Sequence, residues 1–148
     1  MHSSQQIQDI IEEVECALFT MSKIRFDFDR NWSSNFPAKA GIYAIFDKEE
    51  LIYIGETANL KERMKEVKRT YNHSFRRKLG RHLNNGAMIR NGKFDAGIEL
   101  GLNNYFHSNI SFSYIELNFG RLEVESQLIH RFCGKGLLNS IGKRNKLS

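Results

Sequence analysis

The chain has 148 residues, of which 41% are hydrophobic and 26% charged, with a formal net charge of +5; this suits one globular domain over 1–148 and argues against a second. No apolar run approaches the roughly 18 residues needed to span a bilayer. The first residues, MHSSQQIQD, lack the basic and apolar parts of a signal peptide, so a cytoplasmic protein without membrane contact is expected. Cys16 and Cys133 have no CxxC or Cys/His ligand spacing, which speaks against a disulfide framework or a zinc site and predicts two buried thiols.

Residues 4–21 read as an amphipathic helix capped by Ser3 or Ser4, because Ile7, Ile10, Ile11, Val14, Leu18 and Met21 recur at three- and four-residue steps. It is expected to cover a sheet face or to mediate a dimer contact. Residues 23–39 carry an IRFDFD alternation and then NWSSNFPAKA with the only proline, Pro37. They read as a short strand or extended arm leading to a loop, with Trp32 and Phe36 plugging the underside of that loop rather than stacking on a base. Helix and arm together make up residues 1–39.

Residues 41–63, GIYAIFDKEELIYIGETANLKER, contain two β-branched and aromatic runs separated by a solvated turn, the pattern of a β-hairpin that runs directly into a helix. Both strand faces are largely apolar, as in a sheet covered on both sides. Asn59 with Glu62 three residues later starts the helix, and Leu60, Met64 and Val67 are its buried stripe to about Thr70. Arg63, near the first turn, is placed to swing its guanidinium back toward Tyr43 and Tyr53.

A second helix is predicted over residues 73–84, with Phe75, Leu79 and Leu83 on one side and Gly80 as a weak point. Here the charge is concentrated. Lys61, Lys65, Lys68, Arg69, Arg76, Arg77, Lys78 and Arg81 are candidates for a phosphate-binding surface, since each cation on a phosphate releases condensed counterions. The alternative for such a run is a solvated helical face. The following stretch, 84–109, is rich in Gly and Asn and reads as loops around a short helix, suited to contacts that decide which nucleic acid is bound. ISFSYIEL, residues 110–117, alternates as a third strand. Residues 120–133 are helical, with Leu122, Leu128, Ile129 and Phe132 sharing a face with Glu125. A carboxylate within an apolar stripe needs a cation, an arginine or exposure at the core's edge to compensate its burial. An edge pair with Arg121 is the competing reading.

Gly41-Ile42-Tyr43, Tyr53-Ile54-Gly55, Thr57, Asn59-Leu60, Arg63, Glu125 with Leu128-Ile129, and Leu138-Asn139 stand in the order of the GIY-YIG nuclease motifs. The chain resembles that family, which includes homing, excision-repair and restriction-type endonucleases, over roughly residues 40–148. The resemblance implies an α/β (α+β) fold with a small three-stranded antiparallel sheet flanked by helices, here with an extra N-terminal helix. It implies a divalent-metal-dependent DNA endonuclease, restriction-type or structure-selective, working as monomer or homodimer. Glu125 would then hold the metal and Asn139 would brace the site.

The chemistry required is hydrolysis of a phosphodiester, whose negative charge repels the attacking hydroxide. One carboxylate suits Mg²⁺ or Mn²⁺, which keep much of their water and ligate phosphate oxygens directly. Arg63 supplies a fixed, always-charged fork for the oxygens that gain charge in the transition state. Tyr43 is the preferred general base, though its ordinary pKa near 10 must be brought down by nearby positive charge or a hydrogen bond. Tyr53 orients the water or the phosphate, and His73 is the second candidate base. Two readings compete with an enzyme: a binding module of the same fold without turnover, and a basic adaptor for an acidic protein.

Overall fold

The computed structural model describes residues 4–139. The elements are α1 (Ser4–Thr20), β1 (Ile24–Arg25), a single 3₁₀ turn (Trp32–Asn35), β2 (Gly41–Asp47), β3 (Glu50–Thr57), α2 (Leu60–Glu66), α3 (Ser74–Leu83), α4 (Ala96–Asn109), β4 (Ile110–Glu116) and α5 (Arg121–Phe132). The sheet is antiparallel with strand order β1-β4-β2-β3. It has four strands, not three. The fourth is the short strand of the IRFDFD segment, where Ile24 and Arg25 pair with Phe112 and Ser111, and Phe26 then donates its N–H to the Ile110 carbonyl at 3.2 Å.

β2 is the central strand and is buried almost throughout. Its side chains alternate between two cores, as a strand with period two must when both faces are covered. Ile42, Ala44 and Phe46, with Ile54 of β3, face α1 and α5, against Ile11, Val14, Leu18, Val124 and Leu128. Tyr43 and Ile45, with Tyr53, face α2, α3, α4 and the arm. The N-terminal helix is therefore scaffold for one sheet face. Trp32 plugs the arm, its ring 5.0 Å from Phe112 and 4.9 Å from Phe26, while its indole N–H donates to the Arg25 carbonyl at 2.7 Å.

Several local expectations change. The region 84–109 contains a full helix, α4, capped by Asp95, whose Oδ1 accepts from the Ile98 N–H at 3.0 Å. Leu102 and Phe106 are its buried residues; Gly97, Gly101, Asn103 and Asn104 dilute the apolar stripe. The tyrosyl hydroxyl of Tyr105 donates to Asp47, tying α4 to the end of β2. α2 stops at Glu66, short of Thr70, and α3 runs unbroken through Gly80, which lies against the Phe94 ring. On α5 the buried residues are Val124 and Leu128, and Leu122 is exposed. Cys16 and Cys133 are exposed rather than buried.

Arg76 is the largest departure from the sequence reading. It is 1% exposed and so is withdrawn from any phosphate-binding surface. Its Nε donates to Thr70 Oγ1 at 3.1 Å, and its Nη2 donates to Glu99 Oε1 at 2.9 Å, to the Glu99 carbonyl at 3.0 Å and to Asn103 Oδ1 at 2.9 Å. The guanidinium lies 5.3 Å from the Phe106 ring centroid, and Nη1 has no hydrogen-bond partner. Burial pushes the Glu99 carboxyl up, but hydrogen bonds from Thr70, the Phe94 N–H and Arg76 together hold it below the usual carboxylate value. A buried guanidinium is tolerated only with such partners, since an uncompensated one costs several kcal/mol. The network fixes α3 on α4, and so fixes what the N-terminus of α3 presents to the sheet.

Candidate active site

The site is built at one end of the β2–β3 hairpin. Tyr43 on β2 is paired in register with Gly55 on β3, and an added Cβ at Gly55 would lie 2.2 Å from Tyr43 Cζ and 2.3 Å from its hydroxyl. Gly55 thus supplies the space in which the Tyr43 ring lies across the neighbouring strand. Tyr53 on the same face stacks beside it, with centroids 6.3 Å apart and rings 25° from parallel. The two glycine-tyrosine tripeptides are one packing unit.

The other side chains arrive from α2, α3 and α5. Arg63 on α2 donates from Nη1 to the Asn72 carbonyl at 3.3 Å, and its charge and hydrogen bond act on Tyr43. His73 is the N-cap of α3: its Nδ1 accepts from the Phe75 N–H at 3.0 Å. A neutral ring that accepts at Nδ1 carries its proton on Nε2, so Nε2–H donates to the Tyr43 oxygen at 2.9 Å. Ser74, the first residue of α3, shares a 2.9 Å hydrogen bond with the Tyr53 hydroxyl. Sequence reading overlooked Ser74, although its place next to His73 at a helix start was the available signal.

Glu125 comes from the opposite layer. Its Oε2 accepts from the Glu56 N–H at 2.9 Å, immediately beyond Gly55. Arg121 does not take it; Arg121 pairs with the Glu56 carboxylate at 3.1 Å. Asn139 clamps the edge strand, its Oδ1 accepting from the Ile54 N–H at 2.9 Å and its Nδ2 donating to the Ile54 carbonyl at 2.7 Å. A side-chain amide thereby stands in for a strand neighbour on β3, and the Leu138 N–H extends the pairing to the Ile52 carbonyl at 2.7 Å.

Charge runs in both directions through this cluster. Burial, and then Tyr53, push Tyr43 well above the usual phenol value; Arg63 pulls it down and Glu125 adds a smaller upward push. Burial likewise raises Tyr53, against the Ser74 hydrogen bond and Arg63. His73 is depressed to about 3 by burial, then by Arg63 and Arg77, and is neutral at physiological pH. The donor set fits a hard, hydrated cation. Among the described residues no three His, Cys, Asp or Glu side chains form a cage, and one carboxylate with water is the ligand set typical of Mg²⁺.

The basic residues divide. Lys65 and Arg69 on or just after α2, and Arg81 on α3, are exposed, although Lys65 also pairs with Glu62 at 2.7 Å. Lys61, Lys68 and Lys78 are half-buried. Arg77 is half-buried, and its Nη1 is held by the Thr70 and Tyr71 carbonyls at 2.9 and 2.8 Å. Arg90 and Lys93 are exposed as well.

Fold and site together define an α/β protein whose tyrosines, arginine, histidine and glutamate meet at the end of a central hairpin. Residues 39–131, well over half of the chain, match the family model described as the GIY-YIG catalytic domain, and the chain belongs to the GIY-YIG nuclease superfamily. The match ends within α5 and leaves Asn139 outside it. No curated protein and no solved structure matches the chain significantly.

The buried neutral His73 has a measurable consequence for stability. Its folded pKa lies below the ordinary 6.5, so below pH 6.5 the unfolded chain takes up a proton that the folded one refuses. The stability it contributes is complete above pH 6.5 and falls by about 1.4 kcal/mol per pH unit as pH drops toward its folded value. Tyr43, Tyr53, Arg63 and Arg77 face the ring, and none of them carries a negative charge to offset this. In His73→Asn the cap acceptor is kept and the titration is gone. Urea unfolding at pH 6.5 and pH 5.0 should show a shallower loss in the variant than in the native chain; equal losses would mean that the ring is protonated in the fold.

Proposed function

We propose that the protein is a divalent-cation-dependent DNA endonuclease formed by a single domain, 1–148. The observation that carries this reading is the convergence of Tyr43, Tyr53, Arg63 and His73 from one layer with Glu125 from the other, around Gly55. Family membership supports the nuclease class; the arrangement supports the roles.

Arg63 is half-buried and held by the Asn72 carbonyl, so its fork is oriented before any phosphate arrives and can match the charge that grows on the non-bridging oxygens. In its phenolate form Tyr43 would orient the attacking water and receive its proton. His73 is its partner and not a rival base: the Nδ1 lone pair is occupied by the cap, while Nε2–H is aimed at the phenolic oxygen and stabilises it as phenolate. Tyr53, held by Ser74, orients water or phosphate. Asn139 holds the backbone of β3 at Ile54 beneath them. A Mg²⁺ or Mn²⁺ ion at Glu125 would act as Lewis acid on the scissile phosphate and its leaving oxygen, and would replace a charge that raises the Tyr43 pKa by one that lowers it.

Exposed cations at Lys65, Arg69 and Arg81 are suited to the DNA backbone. A restriction-type enzyme would add base contacts and a homodimer to cut both strands. The exposed, unpaired cysteines fit a reducing, intracellular setting, and no described helix is long and apolar enough to cross a membrane.

The test is cleavage of supercoiled plasmid at low salt with Mg²⁺ or Mn²⁺ and with EDTA, for the native protein and Arg63→Ala. Nicking that requires the metal and falls about a hundred- to a thousandfold in the variant is the expected result. The second reading, a binding module without turnover, is favoured by one observation, the upward shift of Tyr43 by burial. DNA that is bound but never cut under any of these conditions would establish it in place of the enzyme.

A further inference from the structure

Tyr71 is 76% exposed, the most exposed large apolar or aromatic side chain among the described residues, and it stands two positions before His73. It is not loosely displayed. Its carbonyl, with that of Thr70, is gripped by Arg77, and the carbonyl of the next residue, Asn72, accepts from Arg63. The backbone under Tyr71 is therefore fastened to an arginine that touches the Tyr43–His73 pair.

Its ring rests on a second device. Arg90 and Lys93 exchange backbone hydrogen bonds of 2.8 and 3.1 Å across a two-residue turn, and Asn91 and Gly92 both have positive φ, 53° and 79°, as the tight Asn-Gly hairpin turn requires. An added Cβ at Gly92 would lie 2.5 Å from Tyr71 Cδ2, so the glycine allows the ring to pack on the turn by one edge while the rest faces solvent. Arg90 and Lys93 are exposed on either side of the turn. The result is an aromatic plate seated on the turn by one edge, two residues before His73 and bordered by cations.

A plate of this kind is poorly suited to intact duplex, whose bases are already stacked and covered by backbone. It suits a base that has left the stack, because every base has a π-face and the neighbouring cations hold its phosphates. We propose that Tyr71 is a stacking platform for an unpaired nucleotide next to the scissile phosphate, which makes DNA with gaps, flaps or single-stranded segments the favoured substrate. This rests on the nuclease reading and specifies its substrate class.

The test uses the full chain in EDTA with oligonucleotides that carry 2-aminopurine in a four-nucleotide gap or in the matching continuous duplex, for the native protein, Tyr71→Ala and Tyr71→Phe. Binding is read by anisotropy, stacking by quenching of the 2-aminopurine, and each protein's melting curve is recorded. Metal-dependent cleavage of both DNAs is measured alongside. The expected result is tighter binding of gapped DNA with quenching in the native protein, and loss of that preference by about five- to a hundredfold in Tyr71→Ala. Tyr71→Phe keeps it. If the native protein binds gap and duplex equally, or Tyr71→Ala weakens both alike, the stacking role fails while persistent cleavage leaves the nuclease reading intact. If neither DNA is bound or cut, both fail together.

Discussion

Glu125→Gln is expected to reduce metal-dependent cleavage by about a thousandfold or more while leaving the fold and DNA binding in place. The substitution is nearly isosteric, and the new amide oxygen can still accept the Glu56 N–H that now meets Oε2 at 2.9 Å. Fold stability should therefore change by less than about 0.5 kcal/mol, as for surface and edge substitutions that keep their contacts. What is lost is the charge. On the proposed mechanism the cation loses the carboxylate assigned to hold it, and Lewis-acid stabilisation worth several kcal/mol of transition-state energy goes with it. Binding of DNA should hold or improve, because a negative charge beside a phosphate has been removed. Single-turnover cleavage with saturating protein, paired with a binding isotherm on the same DNA, separates the two effects. Glu125→Gln cutting at the native rate would remove this residue from the reaction and leave it as an edge glutamate that caps the Glu56 amide.

How much of this was legible in the sequence depended on the kind of force involved. The hairpin, α1, α3 and α5 followed from apolar periodicity, because burial of a face is written locally in residue order. Tyr43, Tyr53, Arg63 and Glu125 could be named since their motif spacing survives in the linear chain. The structure adds that they meet: Glu125 approaches from the layer opposite Arg63, which no local pattern encodes. Arg76 was misread for the same reason. On a helical wheel it is one more cation among Arg77, Lys78 and Arg81, and only the partners brought by Thr70, Glu99 and Asn103 turn it inward. His73 was read as a candidate base from its intrinsic pKa, but its tautomer is set by the cap it forms on Phe75. The IRFDFD alternation pointed to a short strand or arm but not to its place beside β4 in the sheet, and the glycine-diluted pattern of α4 pointed to a short helix where fourteen residues are helical. Asn91-Gly92, by contrast, was a readable turn signal within the Gly- and Asn-rich stretch, and it leads to Tyr71.

Gly55→Ala should cripple catalysis by about a hundredfold or more and destabilise the fold by about 1–3 kcal/mol. The added methyl has no unoccupied place to go: its contacts would be 2.2 and 2.3 Å to the far end of the Tyr43 ring, whose other neighbours are Tyr53 and His73. Either the β2–β3 pairing opens or the ring moves. Overpacking of a well-filled core typically costs in the range given above, and a displacement of about 1 Å at a reacting group is enough to lose two orders of magnitude in rate. The 2.9 Å bond from His73 to Tyr43 would be the first contact broken, and the support proposed for a Tyr43 phenolate would be lost with it. A double-mutant cycle separates this cause from a general backbone effect. Tyr43→Ala alone opens a cavity and costs about 3–5 kcal/mol, but with the ring gone the Gly55 methyl occupies part of the space it left. Denaturation of the double variant should show less destabilisation than the two single changes added together. If the two costs add, the methyl is harming the strand rather than the ring, and Gly55 would be required by the sheet and not by the tyrosine that its absent side chain accommodates.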